Sequence, residues 1–314
     1  MSILEGLSKK ILLNEPDLWK FISSAPHRYK KYKIEKRNGK GFRDIAQPSK
    51  ELKFVQNTAV FGIDLFQNLP IHHSAKAYIK KINIKDNAEA HKLNSYFLKM
   101  DFSNFFPSIK PVDFINHIEK HKNLTLSEKD KLIISKLFFY KKYRKSELVL
   151  SVGSPTSPYI SNTLMYDFDD IVYKYCIEKK ITYTRYADDL TFSTMTKVDL
   201  FEIPVFIKST LNELLYPRIL INNDKTVFLS KRTNRHITGL VITNDGKVSI
   251  GRKKKRYIQS LVYKYCNSNI SEESTSYLKG YLAFCLGIDV DFVISLEKKY
   301  GKENIDSIRG LNKG

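Results

Sequence analysis

Residues 183–192 read YTRYADDLTF. Two short β-forming stretches flank a pair of adjacent carboxylates, Asp188 and Asp189. Like charges side by side repel, and a plain two-residue turn more often takes Asn-Gly or Asp-Gly. Two readings are open. One is a solvated turn. The other is a carboxylate pair placed for a hard divalent cation, which takes oxygen ligands. A tight hairpin would carry both side chains at its tip, exposed and rigidly placed, because Asp tolerates the left-handed backbone such turns need. Two divalent ions about 4 Å apart stabilise the attacking and leaving oxygens in phosphoryl transfer. Such a site needs another carboxylate from a neighbouring strand. Asp101 follows the apolar run YFLKM (96–100) at what reads as a strand's C-terminal end, and is that candidate. The chain carries its own control: Asp169-Asp170, in MYDFDDIVYKY (165–175), follows a helical pattern and reads as a polar face.

The 314 residues suffice for one large domain or a few subdomains, and 42% hydrophobic and 12% aromatic residues are enough to fold. Lys and Arg number 53 against 33 acidic residues, a formal net charge of +20 that points to a polyanion, most simply nucleic acid. An anionic membrane would also attract such a chain, but no apolar run is long enough to span a bilayer, and the acidic residues of MSILEGLSKKILLNEPDLW do not suit a signal peptide. Cys176, Cys266 and Cys285 are far apart and form no CxxC or Cys/His cluster. The sequence therefore indicates neither a disulfide framework nor a zinc site, which suits a reducing cytoplasm.

Along the chain, residues 1–25 read as helical. Residues 32–49 read as a basic β-hairpin turning at Asn38-Gly39. A helical pattern follows over 50–69, then a strand over 94–109 that breaks at Pro107, and two helices over 110–121 and 127–140. SVGSPTSPYISN (151–162) reads as a loop, followed by a helix to about Lys180. After the hairpin at 181–194 come a helix over 198–215 and strands with turns over 219–230 and 235–251. Helical faces then recur, at Ile258, Leu261, Val262 and Tyr265, at Tyr277, Leu278, Tyr281, Leu282 and Cys285, and in DFVISLEKKYG (291–301). Residues 251–314 therefore read as a small helical domain.

Taken together, YADD (186–189), MDFSNFFPSI (100–109), NAEAH (87–91), SPTSPYISN (154–162) and ITGL (237–240) stand in an order that resembles the bacterial retron reverse transcriptases. NAEAH matches the NAxxH element through Asn87 and His91. Ile237, Thr238 and Gly239 match the VTG element, with Ile for Val. The resemblance runs from about residue 30 to about 301 and implies an α+β right-hand polymerase of fingers, palm with an antiparallel sheet, and small helical thumb. Residues 1–250 would interleave fingers and palm, with the palm core at about 94–110 and 151–250, and 251–314 would be the thumb.

The resemblance further implies Asp101, Asp188 and Asp189 as catalytic ligands of two magnesium ions. It implies Phe106 as the aromatic gate beneath the incoming sugar, and Arg43 and Lys36 as triphosphate contacts on the fingers hairpin. Lys225 in NNDKT matches the palm lysine near the leaving phosphate. Each has a plainer alternative: core packing for Phe106, a solvated surface for the three cations, and a structural or RNA-contacting role for His91. Many reverse transcriptases carry Gln before the Gly of the GSPTSP block. Here it is Val152, which removes a polar group from the nucleotide pocket.

Arg252, Lys253, Lys254, Lys255 and Arg256 form one run directly before a helix whose apolar face starts at Ile258. Cations there oppose the helix dipole, and the resemblance places the run beside the template–primer duplex. The implied activity is RNA-directed DNA synthesis on a cognate structured non-coding RNA. Synthesis would start from a guanosine 2′-hydroxyl and give multicopy single-stranded DNA joined through a 2′,5′ branch. The implied partners are that RNA, its DNA product, dNTPs and an effector protein in anti-phage defence. The 64 residues after 250 are too few for an RNase H, integrase or endonuclease domain. The alternatives are another small prokaryotic reverse transcriptase, against which the NAxxH and ITG elements speak, and an RNA–DNA scaffold controlling an effector.

Overall fold

The computed structural model describes residues 2–36, 39 and 41–311; Asn38 of the expected fingers turn lies outside them. The chain opens with helices α1 (Ile3–Ile11) and α2 (Glu15–Ser24), started by Ser2 and Asn14, whose side chains accept the Glu5 and Asp17 amides. Strands β1 (Tyr29–Glu35) and β2 (Phe42–Pro48) pair antiparallel as the basic hairpin. Helix α3 (Lys50–Gly62) follows, then a short α4 (Ile84–Glu89) started by an Asn83/Asp86 capping box.

Strand β3 (Tyr96–Ser103) is the centre of the main sheet. It leads into the single turn α5 (Phe105–Ser108), then α6 (Pro111–Lys122), α7 (Glu128–Phe138) and the small hairpin β4 (Phe139–Lys141) and β5 (Leu148–Leu150). Pro107 lies inside α5, so the chain breaks earlier than expected, at Asn104 with its left-handed φ of 47°. The expected loop over 151–162 is shorter than read. Helix α8 (Ser157–Leu164) starts within it, with Pro158 in a first-turn position that needs no amide hydrogen. Helix α9 (Tyr166–Glu178) then feeds β6 (Thr182–Tyr186) and β7 (Asp189–Thr194).

Helix α10 (Ile203–Glu213) precedes β8 (Leu220–Ile221) and β9 (Val227–Ser230), which share the second edge of β3. The sheet thus runs β6-β7-β3-β8, with β9 beside β3, and every named pair in it is antiparallel. A second sheet joins β10 (His236–Ile237), β11 (Leu240–Ile242) and β12 (Val248–Ser249). Four helices complete the described chain: α11 (Arg252–Cys266), α12 (Glu272–Ile288), α13 (Val290–Tyr300) and α14 (Lys302–Arg309).

Two cores hold these elements. The first gathers α1 to α3, β3, α6 to α9 and the YADD hairpin around Phe102, Phe114, Phe138, Phe168 and Phe192. The second joins Ala88, Phe97, Ile237, Leu240 and Ile242 to Ile258, Leu282 and Leu296. It straddles residue 250, so the second sheet and α4 pack with the C-terminal helices. No helix among the described residues is long and apolar enough to cross a membrane.

Candidate active site

The register of the main sheet pairs Asp101 on β3 directly with Asp189 at the start of β7, while Asp188 occupies the turn. The Phe102 amide donates to the Asp188 carbonyl at 3.0 Å, and the Asn222 amide to the Asp101 carbonyl at 2.8 Å. These bonds fix the turn against β3 and its other neighbour. Three carboxylates therefore meet at one end of the sheet.

Two details differ from the sequence reading. The left-handed residue is Ala187, with φ 57°, not either Asp. Asp188 and Asp189 are half-buried rather than exposed at a free tip, and Asp101 is buried. Burial, then the adjacent Asp188, push the Asp189 carboxyl up to about 6; burial and Asp101 raise that of Asp188. Lys225 answers this crowding: its Nζ lies 2.8 Å from Asp101 Oδ1. The donor set is hard, anionic and self-repelling, and it fits divalent cations.

Around this centre, Phe105 is buried and stacks on Phe102 at 5.4 Å, which leaves Phe106 half-buried against its edge at 5.3 Å. Phe105 is the more buried of the two, and Phe106 packs against the edge of the same core. Arg43 is exposed on β2 opposite Ile34, near enough to Asp188 to oppose its upward shift. Lys36 is exposed just past the end of β1. Val152 donates no side-chain bond; its carbonyl accepts the Ala46 amide at 2.9 Å and ties the 151–156 loop to the fingers hairpin. Gly153 next to it has φ 123°, and a Cβ there would lie 3.1 Å from the Ala46 carbonyl oxygen.

The hairpin is gripped on both faces. On one, Tyr183 and Arg185 point to α9, where both bond Asp169. This corrects the control: Asp170 is a surface residue paired with Lys174, but Asp169 is fully buried. On the other face, Thr184 donates to Asn87 Oδ1 at 2.7 Å, while His91 sits 2.7 Å from both Thr184 Oγ1 and Ser193 Oγ. His91 is wholly buried between these two hydroxyls. Thr238 and Gly239 form the turn between β10 and β11, both with positive φ, and Thr238 Oγ1 donates to the Ile84 carbonyl at 3.4 Å. The ITG turn thus bonds the helix that carries Asn87, beneath the hairpin.

The reverse transcriptase (RNA-dependent DNA polymerase) family matches residues 34–242. The retron Ec83 reverse transcriptase of Escherichia coli is 41% identical over 302 residues, 95% of this chain and 96% of that one. The chain belongs to the retron reverse transcriptases. The retron Ec86 enzyme of Escherichia coli is 30% identical over 98% of this chain and 94% of its own. A telomerase structure from Candida Tropicalis aligns at 15% identity and TM-score 0.47, over 91% of this chain and 63% of that chain. This retron reverse transcriptase is accordingly an RNA-directed DNA polymerase with the α+β right-hand fold, in a family that works on nucleic acid templates with divalent metals.

The basic run lies elsewhere than expected. Residues 252–256 are not ahead of the helix; they are the first turns of α11 itself. Lys255 is spent on Asp289 at 2.8 Å, and Lys254 Nζ lies 5.1 Å above the Tyr281 ring. Arg252, Lys253 and Arg256 remain exposed.

Sequence reasoning missed Arg185, Asp169 and Asn162. A signal was present: Tyr183 and Arg185 are two apart on a strand and must share a face, so an Arg beside an aromatic that faces a helix needs a buried acid.

Proposed function

We propose that this chain copies a structured non-coding RNA of its own retron into branched multicopy single-stranded DNA, starting from a 2′-hydroxyl of that RNA. The observation that carries the reading is the convergence of Asp101, Asp188 and Asp189 at one sheet end in a chain matched over 95% of its length by a retron enzyme.

In this reading the three carboxylates hold two magnesium ions, which when bound lower the pKa of the primer hydroxyl and neutralise the departing pyrophosphate. The chain's own residues do the rest. The β3–β7 register holds the carboxylates at fixed spacing. Lys225 neutralises Asp101, and its ammonium would supply charge to the leaving phosphate. Arg43 contributes charge to the triphosphate. Phe106 walls the sugar site where a 2′-hydroxyl would sit. The residues before and after 250 supply fingers with palm and thumb, and the exposed cations of α11 bind the duplex backbone.

Family membership supports the further role in anti-phage defence with an effector protein, in the cytoplasm. Primer extension on RNA template with dNTPs and magnesium tests the chemistry. Asp188→Asn is expected to abolish synthesis with RNA binding retained; full-length cDNA from the purified variant contradicts the assignment. Sequencing the nucleic acid that copurifies with the chain tests the substrate, since a single branched RNA–DNA species is expected.

A further inference from the structure

His117 and His121 stand one turn apart on the same face of α6, and Asp167 reaches them from the first turn of α9. A donor atom from each lies within 4.8 Å of the other two. His117 is fully buried, yet neither of its ring nitrogens has a hydrogen-bond partner. His121 Nε2 and the Tyr216 hydroxyl are buried and unpartnered as well, with the Tyr216 ring 6.2 Å from that of His117 and nearly perpendicular to it. A buried polar atom without a partner forfeits its hydration and gets nothing back. Two such imidazoles converging on one carboxylate mark a place built for something that bonds to several groups at once.

Asp167 is oriented from behind: its Oδ2 accepts from Lys120 Nζ at 2.7 Å, while Oδ1 faces His121 Nε2 at 3.7 Å. Two imidazoles one helical turn apart with one carboxylate oxygen form a borderline-soft N₂O set that suits zinc rather than magnesium.

We propose that His117, His121 and Asp167 bind one zinc-class transition-metal ion that staples α6 to α9. With zinc–ligand bonds of about 2.1 Å the donors must close by roughly 1 Å, which small imidazole rotations supply. A water completes the tetrahedron. The staple has a definite position in the chain. Helix α6 follows the strand that carries Asp101, and α9 precedes the hairpin that carries Asp188 and Asp189. The ion therefore ties together the two segments that must converge at the candidate site, without entering it.

The test uses the full chain. Protein stripped with chelator and dialysed into magnesium buffer is titrated with zinc chloride, and separately with cobalt(II). Expected are one equivalent of zinc bound and a rise in Tm of about 5 °C at a hundredfold excess over Kd. Cobalt should give the visible absorption of a four-coordinate site. Asp167→Asn and His121→Gln are expected to lose the equivalent and the Tm rise. Asp188→Asn keeps both, which separates this site from the catalytic carboxylates. Should the two variants fail to fold, the cobalt spectrum of the unmodified chain decides: four-coordinate absorption supports the site, and an octahedral spectrum or none overturns it. Equal zinc in Asp167→Asn, or its loss in Asp188→Asn, also overturns it.

Discussion

Arg185 and Asp169 form an ion pair in which both side chains are completely buried. The contact is a fork: Nε lies 2.9 Å from Oδ1 and Nη2 lies 2.7 Å from Oδ2. The remaining guanidinium nitrogen reaches Asn162 Oδ1 and the Ala187 carbonyl, each at 3.2 Å. Ala187 is the left-handed residue immediately before Asp188, so the pair acts on the turn of the candidate site through one backbone oxygen.

Removing one partner strands the other's charge in the core. Asp169→Asn is therefore expected to cost about 3–5 kcal/mol. Arg185→Lys keeps a charge but loses the fork, and should lower kcat with little change in KM for dNTP. Chemical denaturation and single-nucleotide extension measure the two. A fully active Arg185→Lys would show that the turn holds its shape unaided.

Acid should weaken the fold through histidine. Burial lowers His91 from 6.5 to about 3, and His117 similarly. Between those values the unfolded chain binds a proton that the folded chain does not. Stability from each is complete above about pH 6.5 and is lost toward pH 3, at about 1.4 kcal/mol per pH unit. His91→Gln should be less stable at pH 7 and show a shallower loss between pH 6 and 4. Urea midpoints across that range, in chelator, report it; parallel curves would mean that His91 does not titrate with folding.

Phe106 is half-buried, packed against Phe105 and the edge of the main core, with part of its ring left open. Phe106→Ala should admit a 2′-hydroxyl and raise ribonucleotide relative to deoxyribonucleotide incorporation by about 10-fold or more. Competition between rNTP and dNTP in primer extension measures the ratio, and an unchanged ratio returns Phe106 to packing alone.

The cations of α11 divide by what they touch. Substituting Arg252, Lys253 and Arg256 by Gln should leave Tm unchanged. The same change should flatten the dependence of log affinity for RNA on log salt by roughly one unit for each phosphate that is no longer neutralised. Lys255→Gln should instead lower stability, by about 1–2 kcal/mol, because Asp289 loses its buried counter-charge. Filter binding at several salt concentrations, with thermal melts, separates the two groups.

Short-range pattern determined a good deal of this protein. Alternation around YADD set a hairpin, the run before Asp101 set its partner strand, and five blocks in order set the family. These are legible because a strand's faces alternate every residue and a turn needs only its own few residues. Tertiary structure decided what each charge means. Asp169 and Asp170 are neighbours on one helix, yet one is buried against Arg185 and the other pairs with Lys174 at the surface. Lys254 and Lys255 differ in the same way, one over Tyr281 and the other on Asp289. Asp167 meets His117 and His121 only because α9 packs near α6. Burial and pairing depend on which distant segment lies opposite, and a charge far from its partner in sequence looks like any solvated charge until the chain closes around it.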